Sequence, residues 1–198
     1  MARDKKQARF REIQRCDARD MVGCTVELAR RYLRDDPYRG VVWLYLADSL
    51  SAMARYDEAL QALRRAVRLC PEEKKALVFA RFGHIYEQRG RFGPAERWYR
   101  RAVEAAPQEA SWHIMLGALL ASAGRLREAE HVHRRATRCK TGCIDEAFLN
   151  LGLVLRARGH YAEARKCFQR AIELDPKYKA AKTELSDVEH VLQLDRRA

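Results

Sequence analysis

The sequence predicts an all-α protein built from repeated pairs of antiparallel helices. Apolar residues recur at helical spacing in segments of about a dozen residues, and a glycine separates the two segments of each pair. The pattern recurs along the chain at a period of about 35 residues. Only ten glycines and five prolines occur in 198 residues, too few for an all-β protein with many turns.

The clearest pair spans residues 148–176. Gly152 lies within its first predicted helix, Gly159 separates the helices, and Pro176 ends the unit. The second helix carries Ala164 and Phe168 on its apolar face. Because one pair cannot bury its apolar face alone, copies are expected on either side.

Four alanines mark the copies, at spacings of 36, 34 and 35 residues: Ala59, Ala95, Ala129 and Ala164. The chain is therefore predicted to be a single domain, 1–198. A degraded pair at the amino terminus precedes four full repeats, and a helix that caps the open end follows them. These segments are residues 6–39, then 40–73, 76–109, 110–143 and 145–178, and finally 179–194.

Small and large residues alternate in a way that predicts the packing. Gly83, Gly117 and Gly152 are expected where the second helix of a pair approaches the first closely. Large residues are predicted to fill the space between successive pairs, namely Trp43, Tyr86, Tyr99 and Phe168.

The order Leu151-Gly152, Gly159, Tyr161, Ala164, Phe168, Ala171, Pro176 resembles the tetratricopeptide repeat (TPR), whose period is about 34 residues. The resemblance extends strongly over residues 40–178 and weakly over 6–39. It implies a right-handed α-solenoid of antiparallel helix pairs whose first helices line a concave groove.

No pattern of catalytic residues stands out. The sequence has no glycine-rich phosphate loop, GxSxG or HExxH motif. His131, His133, Cys139 and Cys143 are of metal-binding types, but two histidines two residues apart on a helix point in different directions. His133 also falls on a repeat position for a large core residue. We therefore predict no enzyme, no metal site and no cofactor, and we expect the six cysteines to be reduced thiols.

The groove is the predicted binding surface, and it is mostly apolar. An exposed apolar surface of that extent favours an amphipathic helix or a partly apolar peptide as partner. Family members that bind the acidic tail of chaperones use a lysine-and-asparagine clamp. The corresponding positions here include Leu44, Asp48, Ile114 and Met115, and Arg81 and Asn150 are the only partial matches, which argues against that partner. The candidate partner-binding residues are Leu44, Tyr45, Asp48, Arg81, His84, Ile114, Met115, Asn150, Leu153 and Arg156.

A net charge of +12 leaves a second hypothesis open. Arg65, Arg101, Arg135 and Arg170 occupy matching places in four repeats. They form a ridge along the second helices together with Arg64, Arg68, Arg100, Arg134 and Arg138. Such a ridge could bind RNA or DNA phosphates, although Trp98 is its one candidate for base stacking. The preferred interpretation remains a non-enzymatic scaffold that binds a protein segment in the groove.

No apolar run approaches the roughly 18 residues needed to span a bilayer, since the longest is the seven from Val41 to Ala47. The amino terminus is basic and has no apolar core behind it, unlike a secretory signal. A cytoplasmic location is expected.

Overall fold

The prediction of an all-α protein is confirmed. A computed structural model describes residues 2–195, and the side chains of residues 5–194; the predicted span 1–198 extends beyond these at both ends. Within the described residues, eleven α-helices follow one another and form no strand: α1 (Ala2–Asp17), α2 (Val22–Asp35), α3 (Gly40–Ala52), α4 (Tyr56–Leu69), α5 (Glu72–Gln88), α6 (Phe92–Ala105), α7 (Ala110–Ser122), α8 (Leu126–Ala136), α9 (Ile144–Ala157), α10 (Tyr161–Leu174) and α11 (Lys179–Asp195).

The chain divides into two compact units within α6, after Ala102. In the first unit, consecutive helices α1 to α5 pack against one another around one core. In the second unit, α7 packs on α8, α8 on α9 and α9 on α10. Helix α11 covers the end of this unit, where Ala181 and Val188 are fully buried beside α9 and α10. This is the place where the sequence predicts a capping helix.

Each helix pair turns through one residue in the left-handed conformation. Gly90, Gly124 and Gly159 have φ angles of 69°, 75° and 79°, which glycine adopts without steric cost. In the first full pair the same place is taken by Ala54, with a φ of 57°. Its methyl group makes this conformation costly, so this turn is the strained one of the four.

Glycines inside the first helices make room for a large ring from the second helix. A Cβ atom on Gly83 would lie 2.6 Å from the ring of Tyr99, and one on Gly117 would lie 2.5 Å from the ring of His133. The same contact joins Gly152 and Phe168. The prediction of close approach at these glycines is confirmed. The prediction that Tyr99 and Phe168 fill the space between successive pairs is wrong, because each ring lies inside its own pair.

The third full pair lacks a closing proline, and hydrogen bonds replace it. The backbone N–H of Thr141 donates to Gln108 O (3.1 Å), and that of Ala110 donates to Thr141 O (2.9 Å). Gly142 follows with a φ of 90°. The segment after α8 is thereby fixed to the segment that begins α7, and the chain can enter α9.

Candidate functional site

In the first unit, a cavity of about 280 Å³ lies between the first helices α3 and α5. Three of the predicted binding residues line it together: Asp48, Arg81 and His84. We call the surface around this cavity the first-helix face of the first unit. Ser51 and Gln88 complete its rim, and Ala52 and Ile85 add apolar surface. The cavity therefore combines polar and charged groups with apolar surface.

An ion pair lies in this cavity. Arg81 Nε is 2.8 Å from Asp48 Oδ1, and about a third of each side chain is exposed. Burial raises the pKa of the Asp48 carboxyl, and the positive charge of Arg81 opposes this rise. Burial also raises the pKa of Asp17, on α1, where Asp20 adds to the rise and Arg81 again opposes it. Arg81 thus forms an ion pair with Asp48, and its charge also acts weakly on Asp17 of α1.

Leu44 and Tyr45 contribute less to this face than predicted. Leu44 is only 5% exposed and belongs to the core of the unit. The Tyr45 ring packs edge-on against Phe10 of α1, with 6.2 Å between ring centroids, so the amino-terminal helix covers part of it. His84 is exposed. On the first-helix face of this unit, the charged and polar side chains of Asp48, Arg81 and His84 are therefore accessible, whereas Leu44 belongs to the core.

In the second unit, most predicted residues already have partners within the chain. Ile114 is 7% exposed and lies in the core, whereas Met115 beside it is half-buried. The Asn150 side-chain amide donates to the backbone oxygen of Glu146 one turn earlier (2.9 Å). Of these predicted binding residues, Met115 is apolar and partly exposed to solvent.

Helix α11 occupies the next part of this face. Leu153 packs against a core cluster that α9, α10 and α11 share. The Arg156 guanidinium forms an ion pair with Glu184 of α11. These two residues hold the last helix in place, and a partner at this point would compete with α11 for them.

Residues Asp17, Ser51 and Gln88 belong to the site although sequence analysis did not select them. Ser51 Oγ and Gln88 Oε1 are 3.2 Å apart and join α3 to α5. Their spacing of 37 residues is close to one repeat period, so this signal was present in the sequence. Asp17 gave no such signal because the first pair departs from the repeat pattern.

The arginine ridge on the second helices is partly neutralised. Arg134 pairs with both Glu130 (2.8 Å) and Glu163 (2.7 Å), and Arg170 pairs with Glu173 (2.7 Å). Trp98, the candidate for base stacking, is stacked on Phe82 with 4.3 Å between ring centroids. The Arg101 guanidinium carbon lies 4.8 Å from the centroid of the same indole. The ridge therefore has fewer arginines free to bind phosphates, and the Trp98 ring is less available to stack on a base.

The two histidines considered as metal ligands differ in their exposure to solvent. His133 is buried against Gly117, whereas His131 is exposed. Across the residues that the structure describes, no group of three or more His, Cys, Asp or Glu side chains could hold a metal ion.

Among the residues that the structure describes, no helix is both long and apolar enough to cross a membrane.

Three family models described as tetratricopeptide repeats match this chain, at residues 40–81, 81–142 and 145–178. The chain belongs to the tetratricopeptide repeat family. Tetratricopeptide repeat protein 7B from Homo sapiens is 31% identical over 134 residues, which are 68% of this chain and 16% of that protein. This TPR chain therefore corresponds to a small part of that relative.

Solved structures show the same TPR fold. The C-terminal part of a TPR repeat-containing protein from Cytophaga hutchinsonii superposes with a TM-score of 0.76 at 18% identity, over 94% of this chain and 72% of that one. YrrB, described as a TPR protein with an unusual peptide-binding site, superposes with a TM-score of 0.62 at 18% identity, over 86% of this chain and 87% of that one.

Proposed function

We propose that this TPR protein is a non-enzymatic interaction scaffold, and that its first-helix faces bind a segment of a partner protein. The observation that carries the proposal is the cavity between α3 and α5, with its Asp48–Arg81 ion pair and the exposed His84 beside it. Membership of a repeat family that includes a peptide-binding protein such as YrrB supports the same function.

The chemistry of the cavity indicates what the partner segment presents. The Arg81–Asp48 ion pair is about one third exposed, so a carboxylate of the partner can take the place of Asp48 at the guanidinium. Because an arginine–carboxylate pair with parallel hydrogen bonds is directional, this exchange would orient the segment. In the second unit, Met115 offers an apolar contact that adapts to shape. We therefore propose a partly apolar segment that also carries an acidic group.

The test places charges on the surface and leaves the core intact. Leu44 and Ile114 are unsuitable, since a charge at either buried site would destabilise the fold. His84→Glu and Met115→Glu change one surface position in each unit. The matched control is Ala162→Glu with Gln169→Glu, at two exposed positions of α10. Each double variant changes the net charge by the same amount.

The measurement is affinity capture of partners by the purified protein, followed by binding of the captured protein, purified, to each variant. Helicity of all variants is checked by circular dichroism. We expect the first-helix variant to lose the partner and the α10 variant to keep it. Full binding of the partner by the folded His84→Glu, Met115→Glu variant would refute the proposal.

A further inference from the structure

A second surface, on the opposite side of α3 from α5, forms a cleft between the second helices α2 and α4. Its volume is about 470 Å³, within the range of pockets that bind small ligands or single side chains. An adjoining cavity of about 390 Å³ shares Leu33, Trp43 and Arg65 with it. We call this continuous surface the outer cleft. It lies wholly within the first unit and is separate from the first-helix face.

The floor of the outer cleft is apolar. Leu33, Leu50 and Ala62 lie there and are almost fully buried from solvent. Trp43 lies between the two cavities, and its indole Nε1 donates to Pro37 O at 2.8 Å. Since the polar atom of the indole is already bonded, the rest of the ring offers an apolar contact. An apolar side chain of a partner would be stabilised on this floor by leaving water.

The walls of the cleft carry excess positive charge. Arg30 is neutralised, because its guanidinium pairs with Glu58 at 2.6 Å. Arg34 and Arg65 line the larger cavity, and Arg65 and Arg68 line the smaller one. In the part of the chain that the structure describes, none of these three forms an ion pair with a carboxylate. Three guanidinium groups thus surround an apolar floor without acidic partners.

The second unit contains a matching cleft that also carries positive charge, from Arg138 and Lys166, but has no counterparts of Arg65 and Arg68 among its lining residues. It lies between α8 and α10, has a volume of about 440 Å³, and includes Phe148 where the outer cleft has Trp43. Arg170 holds the same position in α10 as Arg65 in α4, but it pairs with Glu173. Glu173 in turn holds the position of Arg68. Both clefts are therefore basic, and the charge that Arg65 and Arg68 add is specific to the outer cleft.

We propose that the outer cleft binds an acidic peptide segment of a partner protein, with one large apolar side chain of that segment seated on the Trp43 floor. The three arginines would hold carboxylates on either side of this anchor. Such an arrangement of a buried apolar anchor within a charged rim is typical of peptide and protein interfaces. The apolar floor accounts for the apolar side chain of the partner, and the three arginines account for its carboxylates.

Nucleic acid fits the cleft less well than a peptide does. Single-stranded nucleic acid is held by aromatic faces on which bases stack. The outer cleft has two such rings, Trp43 and the exposed Tyr38 of the smaller cavity, but beside Trp43 the larger cavity is lined by the aliphatic Leu33, Leu46 and Leu50. Nucleic acid is therefore an alternative outcome of the test.

The test uses the full chain and three fluorescein-labelled probes, with binding measured by fluorescence anisotropy. The first probe is a short peptide of aspartate, glutamate and serine with one central leucine. The second has serine in place of that leucine, and the third is an oligouridine strand of equal charge. We expect the first probe to bind most tightly, and the second to bind about tenfold more weakly because it lacks the apolar anchor.

Three variants locate the binding. The cleft variant is Arg34→Gln, Arg65→Gln, Arg68→Gln, and the charge-matched control is Arg31→Gln, Arg64→Gln, Arg97→Gln, at exposed arginines that do not line the cleft. We expect the cleft variant to weaken binding of the leucine peptide by about tenfold or more, and the control to change it far less. Gln61→Trp fills the cleft from its rim and should also weaken binding.

Several results would overturn the proposal. Equal losses in the cleft variant and the control would mean general charge attraction, and equal affinity for the leucine and serine peptides would mean that no anchor is seated. Tighter binding of oligouridine, lost in the cleft variant, would assign the cleft to nucleic acid. Absence of measurable binding by the leucine peptide would also count against it. All substitutions lie at exposed side chains, so folding can be confirmed by circular dichroism.

Discussion

The two buried histidines of the second unit make its stability depend on pH. His133 is 1% exposed and His113 is 2% exposed, and the Nδ1 atoms of both have no hydrogen-bond partner among the described residues. Burial, with a smaller effect of the nearby His113, lowers the pKa of His133 from 6.5 to about 4. Burial and the charge of Arg135 also lower the pKa of His113. Both rings are therefore neutral in the folded protein at pH 7.

The sign of the effect follows from proton uptake on unfolding. Once unfolded, His133 regains its ordinary pKa of 6.5 and binds a proton that the folded state excludes. Above pH 6.5 this histidine therefore does not reduce the free energy of unfolding. As the pH falls from about 6.5 towards about 4, the free energy of unfolding decreases. Between pH 7 and pH 5, linkage across this shift gives a loss of about 2 kcal/mol in the free energy of unfolding.

The substitution His133→Phe tests this reasoning. Position 133 is the eighth residue of α8, and the eighth residues of α6 and α10 are Tyr99 and Phe168, so an aromatic ring without charge fits the packing. We expect the variant to be folded and to lose about 2 kcal/mol less than the parent between pH 7 and pH 5. The exposed His131→Gln is the control and should keep the parental pH dependence.

The assay is urea unfolding followed by circular dichroism at several pH values between 5 and 8. Comparing the parent and the variant at each pH cancels the titration of carboxylates that both proteins share. An unchanged pH dependence in His133→Phe would refute the assignment of the effect to this ring. A similar loss of pH dependence in His131→Gln would do the same.

Three further changes test the packing by urea unfolding and thiol assay. Gly83→Ala should destabilise by about 1–3 kcal/mol because its Cβ would meet the Tyr99 ring, whereas Gly93→Ala, with open space around it, should stabilise by about 0.5–1 kcal/mol. Ala54→Gly should stabilise by about 1 kcal/mol by relieving its positive φ; a loss would contradict this. The oxidant diamide should form a disulfide between Cys16 and Cys24, whose sulfur atoms are 2.6 Å apart. Their hydrogen bond raises the pKa of the Cys24 thiol to about 11. Because the thiolate is the reactive form, the disulfide should form faster at pH 10 than at pH 7.

The repeat period predicted most of the fold, because it reports contacts that every helix pair must make. The glycines and the rings that cover them recur at fixed positions, so each copy supports the interpretation of the others. His113 shows what the period can add: it stands four residues before Gly117, as Phe79 and Phe148 stand before their own glycines. Its burial follows from the repeat, although its residue type alone suggests a polar surface position.

The binding face was harder to predict because a first helix is packed on several sides. Six side chains of α3 besides Gly40 are buried, and they are distributed around most of its circumference. The hydrophobic pattern then no longer separates a core side from a groove side, so Leu44 resembles a groove residue in sequence while lying in the core. In α4, one face stays in water, and its apolar stripe is unambiguous.

Charge pairing between neighbouring repeats explains why the arginine ridge could not be judged from the sequence. Arg30 pairs with Glu58, 28 residues away, and Arg134 with Glu163, 29 residues away, so both pairs link successive second helices. An arginine count includes such neutralised groups, and surface pairs of this kind add little stability. Arg65 and Arg68 beside Trp43 have no counterparts among the residues that line the matching cleft of the second unit, and this additional local charge is what a partner would recognise.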